Sequence, residues 1–331
     1  MRNSSESAPR PEGQRETHLA HGGHAVEARH TPVMVREVLT ALQVKPGGSY
    51  IDCTLGEGGH SLAILDSVPE ARLLGIDLDT DALSIAKRRL EPHHDRAVLA
   101  QGNFAELDAI AEQHGYRPAE GVLFDLGLSS LQVETGSRGF SIRREARLDM
   151  RFDSAQRMTA HQVVNEYPER SLADIIFRLG EEPRARRLAR AIVRRRPIET
   201  TTELAQVVAG AIGATGRGRI HPATRTFQAI RIAVNRELDN LRSGLEEAME
   251  VLRAGGRLVV ISYHSLEDRL VKGTLRSEAS DCICPPGTPA CICGHTARLR
   301  EVGRRVVKPT AEEVRSNPRG RSARMRVAER I

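Results

Sequence analysis

The run Asp52-Cys53-Thr54-Leu55-Gly56-Glu57-Gly58-Gly59-His60 follows a short apolar segment and opens a helical one. Glycines at such a junction let the backbone approach a ligand closely, and the start of the helix offers unpaired N–H groups. A dinucleotide fingerprint would need a third glycine at position 61, where the chain has Ser61, so the loop suits a nucleoside-type cofactor better than a pyrophosphate. Asp77 ends the next apolar run, twenty-one residues beyond Gly56. A carboxylate there can accept both hydroxyl protons of a ribose. Loop and acid together point to S-adenosylmethionine. The plainer alternative is a glycine turn that only packs helix on strand.

Two further groups face the same crevice in this reading. Asp125 closes Gly121-Val-Leu-Phe-Asp125, at the strand end where open α/β sheets place ligands, unless it merely caps the following turn. Ser262-Tyr263-His264-Ser265 ends another apolar run; Tyr263 can stack on a base, and His264 can titrate near neutrality or serve structure alone. His221-Pro-Ala-Thr-Arg225-Thr-Phe-Gln228-Ala-Ile-Arg231 sets hydroxyl, amide and guanidinium groups on a helix start that can meet phosphates.

Four of the five cysteines lie in Cys282-Ile-Cys284-Pro-Pro-Gly-Thr-Pro-Ala-Cys291-Ile-Cys293. Two C-x-C pairs across a tight Pro/Gly loop can place four thiolates around one Zn(II). Disulfides do not suit a reducing cytosol, so the choice is structural zinc or an unmetallated loop. Cys53 reads as core.

The elements that must position these groups alternate. Strands are expected at 49–54, 72–77, 97–100, 121–125 and 256–262, with helices at 60–67 and at 81–90, the latter capped by Asp81. Alternation of this kind means an α/β fold with a parallel sheet. About 130 residues separate the last two strands, far more than one crossover needs. They read as helices: one closing at Gly180, one from Arg184 to Arg196 between Pro183 and Pro197, and one capped by Thr202 and running to Ile212. A final apolar stripe runs from Phe227 through Ile230, Val234, Leu238, Leu241 and Leu245 to Leu252. The expected organisation is a tail over 1–28, a sheet domain over 29–138 and 239–331, and a helical insert over 139–238. The later part of the final stripe is the crossover into the fifth strand.

Charge separates the two domains. The chain has 331 residues and a net charge of +6, with only four lysines among its 49 basic residues. From Arg138 to Arg236 there are twenty arginines, no lysine and ten acids, so this section is +10 and the remainder is −4. Surplus confined to one domain points to nucleic acid, whereas a single charged helix such as 184–196 is usually a solvated face. No run of eighteen apolar residues exists, so no membrane span is expected. The first thirty residues lack a secretory h-region, and cytoplasm is the expected compartment. Too polar to fold, they read as a disordered tail whose histidines (His18, His21, His24, His30) could take up metal adventitiously.

In this order the motifs resemble those of the bacterial small-subunit rRNA cytosine-N4 methyltransferases, the RsmH or MraW family. The resemblance rests on His30-Thr-Pro-Val, the 52–60 loop, Asp125-Leu-Gly-Leu-Ser-Ser130, Arg138-Gly-Phe-Ser141, Leu148-Asp-Met-Arg151, the 221–231 run, Ser262 to Arg269 and Asn317 to Arg324. It covers about residues 30 to 331. It implies a class I S-adenosylmethionine-dependent methyltransferase, a Rossmann-like, mostly parallel α/β sheet with an inserted all-helical domain that grips RNA. The implied cofactor positions are Gly58, Gly59, His60, Asp77, Phe104, Asp125 and Gln132, with Asp77 on the ribose, Phe104 against the adenine and Asp125 near the reacting end. The implied partner is small-subunit ribosomal RNA or the small ribosomal subunit, with a homodimer left open. Arg225, Gln228 and Arg231 are the expected RNA contacts.

Cytosine's exocyclic amine is a poor nucleophile, its lone pair being delocalised into the ring. An enzyme must hold it in line and accept hydrogen bonds from its protons. DNA amino-methyltransferases use an Asp/Asn/Ser-Pro-Pro-Tyr motif, and this chain has Asp125-Leu-Gly-Leu instead. The catalytic expectation is therefore Asp125 orienting the amine, Tyr263 stacking on the flipped base, and His264 as a proton acceptor. Three rivals remain: a DNA amino-methyltransferase, a non-catalytic RNA-binding assembly factor, and a nicotinamide dehydrogenase. The missing Pro-Pro-Tyr, the intact glycines with Asp77, and Ser61 argue against them in turn.

Overall fold

The computed structural model describes residues 31–331, apart from 130, 133–135, 137, 214–220 and 304. The expected tail at 1–28, its histidines and Ser130 lie outside the described residues.

Five strands run parallel: β1 (Ser49–Asp52), β2 (Arg72–Asp77), β3 (Ala97–Gln101), β4 (Ala119–Asp125) and β5 (Leu252–Ser262). Two more, β6 (Leu299–Glu301) and β7 (Arg324–Arg330), close one edge antiparallel, giving the order β3-β2-β1-β4-β5-β7-β6. This is a mostly parallel, Rossmann-like sheet, as the motifs implied. The antiparallel edge went unread, because β6 is three residues long and β7 (RMRVAER) alternates arginines with apolar residues like a charged surface run.

Buried on both faces, the central strands are almost wholly apolar, and each side carries a core. One gathers Ile51, Leu74, Ile76, Val122, Phe124, Leu258 and Val260; the other gathers Tyr50, Leu73, Leu123, Val259 and Ile261. The covering helices are α1 (Val35–Leu42), α2 (Gly59–Ser67), α3 (Thr80–Arg89) and α4 (Leu107–Gln113). The cap of α3 is Asp79 rather than Asp81: the Asp79 side chain accepts from Asp81 N, which moves the helix start back.

Between β4 and β5 the chain forms α5 (Ala160–Glu166), α6 (Glu169–Gly180), α7 (Ala185–Arg195), α8 (Thr201–Ile212) and α9 (Thr224–Asn235). These bury a third core of their own, including Val163, Leu172, Ile176, Leu188, Ile192, Leu204 and Ile230. Thr200, not Thr202, caps α8, in a reciprocal box with Glu203. The long apolar stripe is two helices. Arg236, at φ +50°, breaks it, and α10 (Glu237–Val251) returns to the sheet. After β5 come α11 (Ser265–Glu278) and α12 (Ala311–Ser316).

Candidate active site

Asp52, Asp77 and Asp125 end three neighbouring strands, β1, β2 and β4. The order reverses between β1 and β4, and such a switch point is where open α/β sheets bind ligands. A cavity of about 510 Å³ opens there, walled by the strand ends on one side and by Phe152, Gln228, Arg231 and Asn235 of the helical insert on the other.

The loop after β1 is tied to the end of β2. Gly56 N donates to Asp77 Oδ2 at 2.7 Å, and Asp79 N to Asp77 Oδ1 at 2.9 Å. Burial drives the Asp77 carboxyl up to about 6, against these two bonds, which favour its charge. Each oxygen keeps a second lone pair for a ribose hydroxyl. Phe104 stands on the cavity wall, edge-on to Phe124 at 5.4 Å between centroids, an apolar surface fit for a flat base. Its place depends on Gly244 of α10, where an added Cβ would fall 2.6 Å from the ring. Gln132 lines the cavity while bonding Asp79 Oδ2 at 3.2 Å. Gly59 and His60 also line it. Gly58 does not: at φ +77° it turns the chain into α2, where an added Cβ would crowd Ala86 at 3.3 Å. Its part is the loop's shape. The buried acid, the apolar flat wall and the glycine turn at a helix start fit S-adenosylmethionine.

At the other end of the cavity, Asp125 Oδ1 accepts the Tyr263 hydroxyl at 2.7 Å, and Oδ2 lies 3.5 Å from His60 Nδ1. His60 Nε2 is 2.8 Å from the Val33 carbonyl, which can only accept, so Nε2 carries a hydrogen. Its other nitrogen, Nδ1, therefore faces Asp125 as a lone pair when the ring is neutral. Burial raises the Asp125 carboxyl above the usual range, while His60 and the Tyr263 hydroxyl oppose that rise. The Tyr263 ring packs against Gly127, and burial together with Asp125 pushes its hydroxyl far above the ordinary phenol range.

His264 has a different job from the one expected. It caps α11: its Nδ1 accepts from Glu267 N at 3.4 Å, which puts the hydrogen on Nε2. That nitrogen lies 3.0 Å from Glu267 Oε1, off the line of a hydrogen bond. With its acceptor nitrogen spent on the cap, His264 has none left to take a proton from substrate. Glu267 is the organiser here. It accepts from Tyr263 N at 2.8 Å and His264 N at 3.3 Å, and although burial works against its charge, His264 and Arg231 hold it below the usual carboxylate range. Glutamate three residues after a capping position was the signal available in the sequence.

The three expected RNA contacts separate. Arg231 is buried and makes a two-pronged pair with Glu237, at 2.8 and 2.7 Å, so it is not offered to phosphate. Gln228 bonds the Leu179 carbonyl at 3.4 Å and lines the cavity. Arg225 is exposed, with Glu182 3.6 Å away. On α7, by contrast, Leu188, Ala189 and Ile192 face inward and Arg186, Arg187, Arg194 and Arg195 are exposed. This arginine face was read as ordinary solvated surface.

Arg138, at the start of the insert, donates to Asp79 and to the Phe152 carbonyl at 2.7 Å, pinning insert to sheet domain beside Asp77. Cys282, Cys284, Cys291 and Cys293 come together between α11 and β6, away from the cavity. Cys53 is buried. Among the described residues no helix is long and apolar enough to cross a membrane.

The chain is similar to known proteins. A ribosomal RNA small subunit methyltransferase H of Dehalococcoides mccartyi is 54% identical over 308 residues, covering 92% of this chain and 88% of its own. One from Thermomicrobium roseum is 52% identical, covering 91% and 94%. Among solved structures, an rRNA methylase from Streptococcus thermophilus aligns at a TM-score of 0.40 and 10% identity over 88% of this chain and 92% of that one. The model of the MraW methylase family matches residues 27–331, and the chain belongs to that family of S-adenosylmethionine-dependent methyltransferases.

Proposed function

We propose that this chain methylates the exocyclic N4 of a cytidine in the decoding region of small-subunit ribosomal RNA, working in the cytoplasm. The observation that carries the reading is Asp125, a largely buried carboxylate held by Tyr263 and lining the same cavity as the ribose acid Asp77, two strands away. The names of the relatives supply the RNA class.

Bound S-adenosylmethionine supplies an electrophilic methyl group. Everything else is the work of side chains. Asp77 and the Gly56 loop hold the ribose, Phe104 flanks the adenine, and Gln132 with Asp79 backs the loop. Asp125 accepts a hydrogen bond from the amine of a cytidine turned out of its stack, returning electron density to N4. Tyr263 fixes the carboxylate through its hydroxyl and offers its ring to the base. As the new N–C bond forms, the amine nitrogen sheds a proton. Asp125, raised by burial and backed by His60 Nδ1, is placed to hold it. The exposed arginines of α7, with Arg225, meet RNA phosphates and set the register of the strand.

Labelled cofactor incubated with free rRNA, and with small subunits from a strain lacking the gene, followed by mapping of the modified nucleotide, tests the reading. Label on a cytidine N4 in the decoding region is expected. Label on DNA, on protein or on another position overturns it. Cofactor binding by calorimetry with no methyl transfer to any RNA would favour a non-catalytic assembly factor. Sedimentation of the full chain with and without RNA decides whether it acts as a homodimer.

A further inference from the structure

The connection from α11 to β6, residues 279–298, is long for a segment with no regular structure, and it is mostly exposed. It buries no apolar cluster that would order it. Ile283 and Ile292, the residues between the paired cysteines, are 50% and 84% exposed. Yet all four thiol sulfurs converge to within 4.8 Å of one another. Cys291 and Cys293 Sγ are 3.5 Å apart, and Cys293 and Cys282 Sγ 3.9 Å apart.

We propose that Cys282, Cys284, Cys291 and Cys293 bind a single structural Zn(II). Four thiolates at about 2.3 Å from a tetrahedral ion stand about 3.8 Å from each other, the spacing these sulfurs already approach. An iron–sulfur cluster would hold its thiolates further apart around several metal atoms.

The backbone supports the same assignment. Ile283 N donates to Cys293 Sγ at 3.4 Å, and Ile292 N donates to Cys284 Sγ at 3.4 Å. The middle residue of each C-x-C pair thus donates to the last sulfur of the other pair. Such N–H bonds to sulfur stabilise thiolate charge on metal ligands and orient them. The stem of the loop is also fixed: His295 Nδ1 is 2.8 Å from the Ser280 carbonyl, and Arg298 Nε bonds Glu278 Oε2 at 2.8 Å. With its stem held and its tip without a core, a metal is what the tip needs to keep one shape.

The test is elemental analysis of the full-length protein, purified without chelator and without added metal. About one zinc per chain is expected, released when a mercurial titrates the thiols, with a cobalt-substituted sample giving the absorption of a tetrahedral thiolate site. A quadruple variant, Cys282→Ser, Cys284→Ser, Cys291→Ser and Cys293→Ser, should lose the zinc while keeping its circular dichroism and methyl transfer, since the loop does not line the cavity. Should that variant fail to fold, Cys291→Ser with Cys293→Ser gives the same readout. Zinc retained by the quadruple variant would place the metal elsewhere, for instance on the histidines of residues 18–30, and overturn the assignment. So would stoichiometric iron, disulfides among the four cysteines, or failure to take up zinc when it is offered.

Discussion

The cavity has two unlike walls. On the sheet side the working groups are carboxylates, Asp77 and Asp125, each ending a strand: both Asp77 oxygens accept backbone N–H groups, and Asp125 Oδ1 accepts the Tyr263 hydroxyl. On the insert side the abundant charge is arginine, but what reaches the cavity is neutralised, as Arg231 is by Glu237. Among the described residues, Arg186, Arg187, Arg194 and Arg195 on the outer face of α7 are exposed and do not line the cavity. Net charge therefore misleads about the site: the domain at +10 presents its charge away from the chemistry. In the proposed reading the insert grips RNA and the sheet wall reacts, and Arg138 and Arg231 tie the parts together.

Four experiments press on that division. The largest effect belongs to the sheet wall. Asp125→Asn keeps the shape but loses the charge and the oxygen that could take a proton, and the single-turnover rate should fall about 10³-fold with RNA affinity unchanged. A rate within a few-fold of the parent would move the chemistry elsewhere. On the insert wall, Arg231→Ala leaves Glu237 buried without its partner, and about 3–5 kcal/mol of stability should disappear, read by denaturant melting. If RNA affinity fell instead and stability held, Arg231 would be a phosphate contact after all.

The third is a pH experiment on Asp77, whose carboxyl titrates at about 6 in the folded chain against 3.8 ordinarily. Ribose hydroxyls donate to its charged form, so cofactor affinity should weaken about tenfold per unit as pH falls below 6, and Asp77→Asn should flatten that profile. Stability without ligand moves the other way. A raised folded value favours the native state at low pH, so this group's contribution, up to about 3 kcal/mol, is lost as pH rises from about 4 to 6. The smallest effect is on the outer face. Removing Arg186, Arg187, Arg194 and Arg195 together should weaken RNA binding about tenfold and flatten its salt dependence, with stability and cofactor affinity unmoved. An unchanged salt slope would return α7 to plain solvated surface.

The sheet wall was legible because its signals are local. A glycine loop after one strand, an acid at the end of the next, and an acid at the end of the fourth each declare their place within ten residues. The insert was legible as helices and as charge, but not as to which arginine faces what. Arg231 and Arg186 look alike in the sequence, and burial that depends on how α9 packs decides between them. His264 shows the same limit. A histidine at a strand end reads as a catalyst until the backbone reveals that its free nitrogen is holding the start of α11. Asp125 stands out by its place at a strand end, whereas His60 beside it reads in the sequence only as a cofactor contact. What joins them is a contact between α2 and the end of β4 that no linear spacing announces.

The place where the insert leaves and rejoins the sheet also sets how the chain can fold. Strand β4 ends at Asp125 and its neighbour β5 starts at Leu252, so the central pairing of the sheet joins segments far apart along the chain. Such contacts form slowly, because loop entropy must be surrendered before they stabilise anything. Within the insert the helices follow one another closely, and its two ends are bonded together where Phe152 N meets Asn235 Oδ1 at 2.8 Å and Asn235 Nδ2 meets the Met150 carbonyl at 2.8 Å. Once those bonds form, the effective loop that β5 must close shrinks to a few short connections. The helical domain thus shortens the loop that the last parallel strand must close, tying the two crossings of the chain together at Asn235.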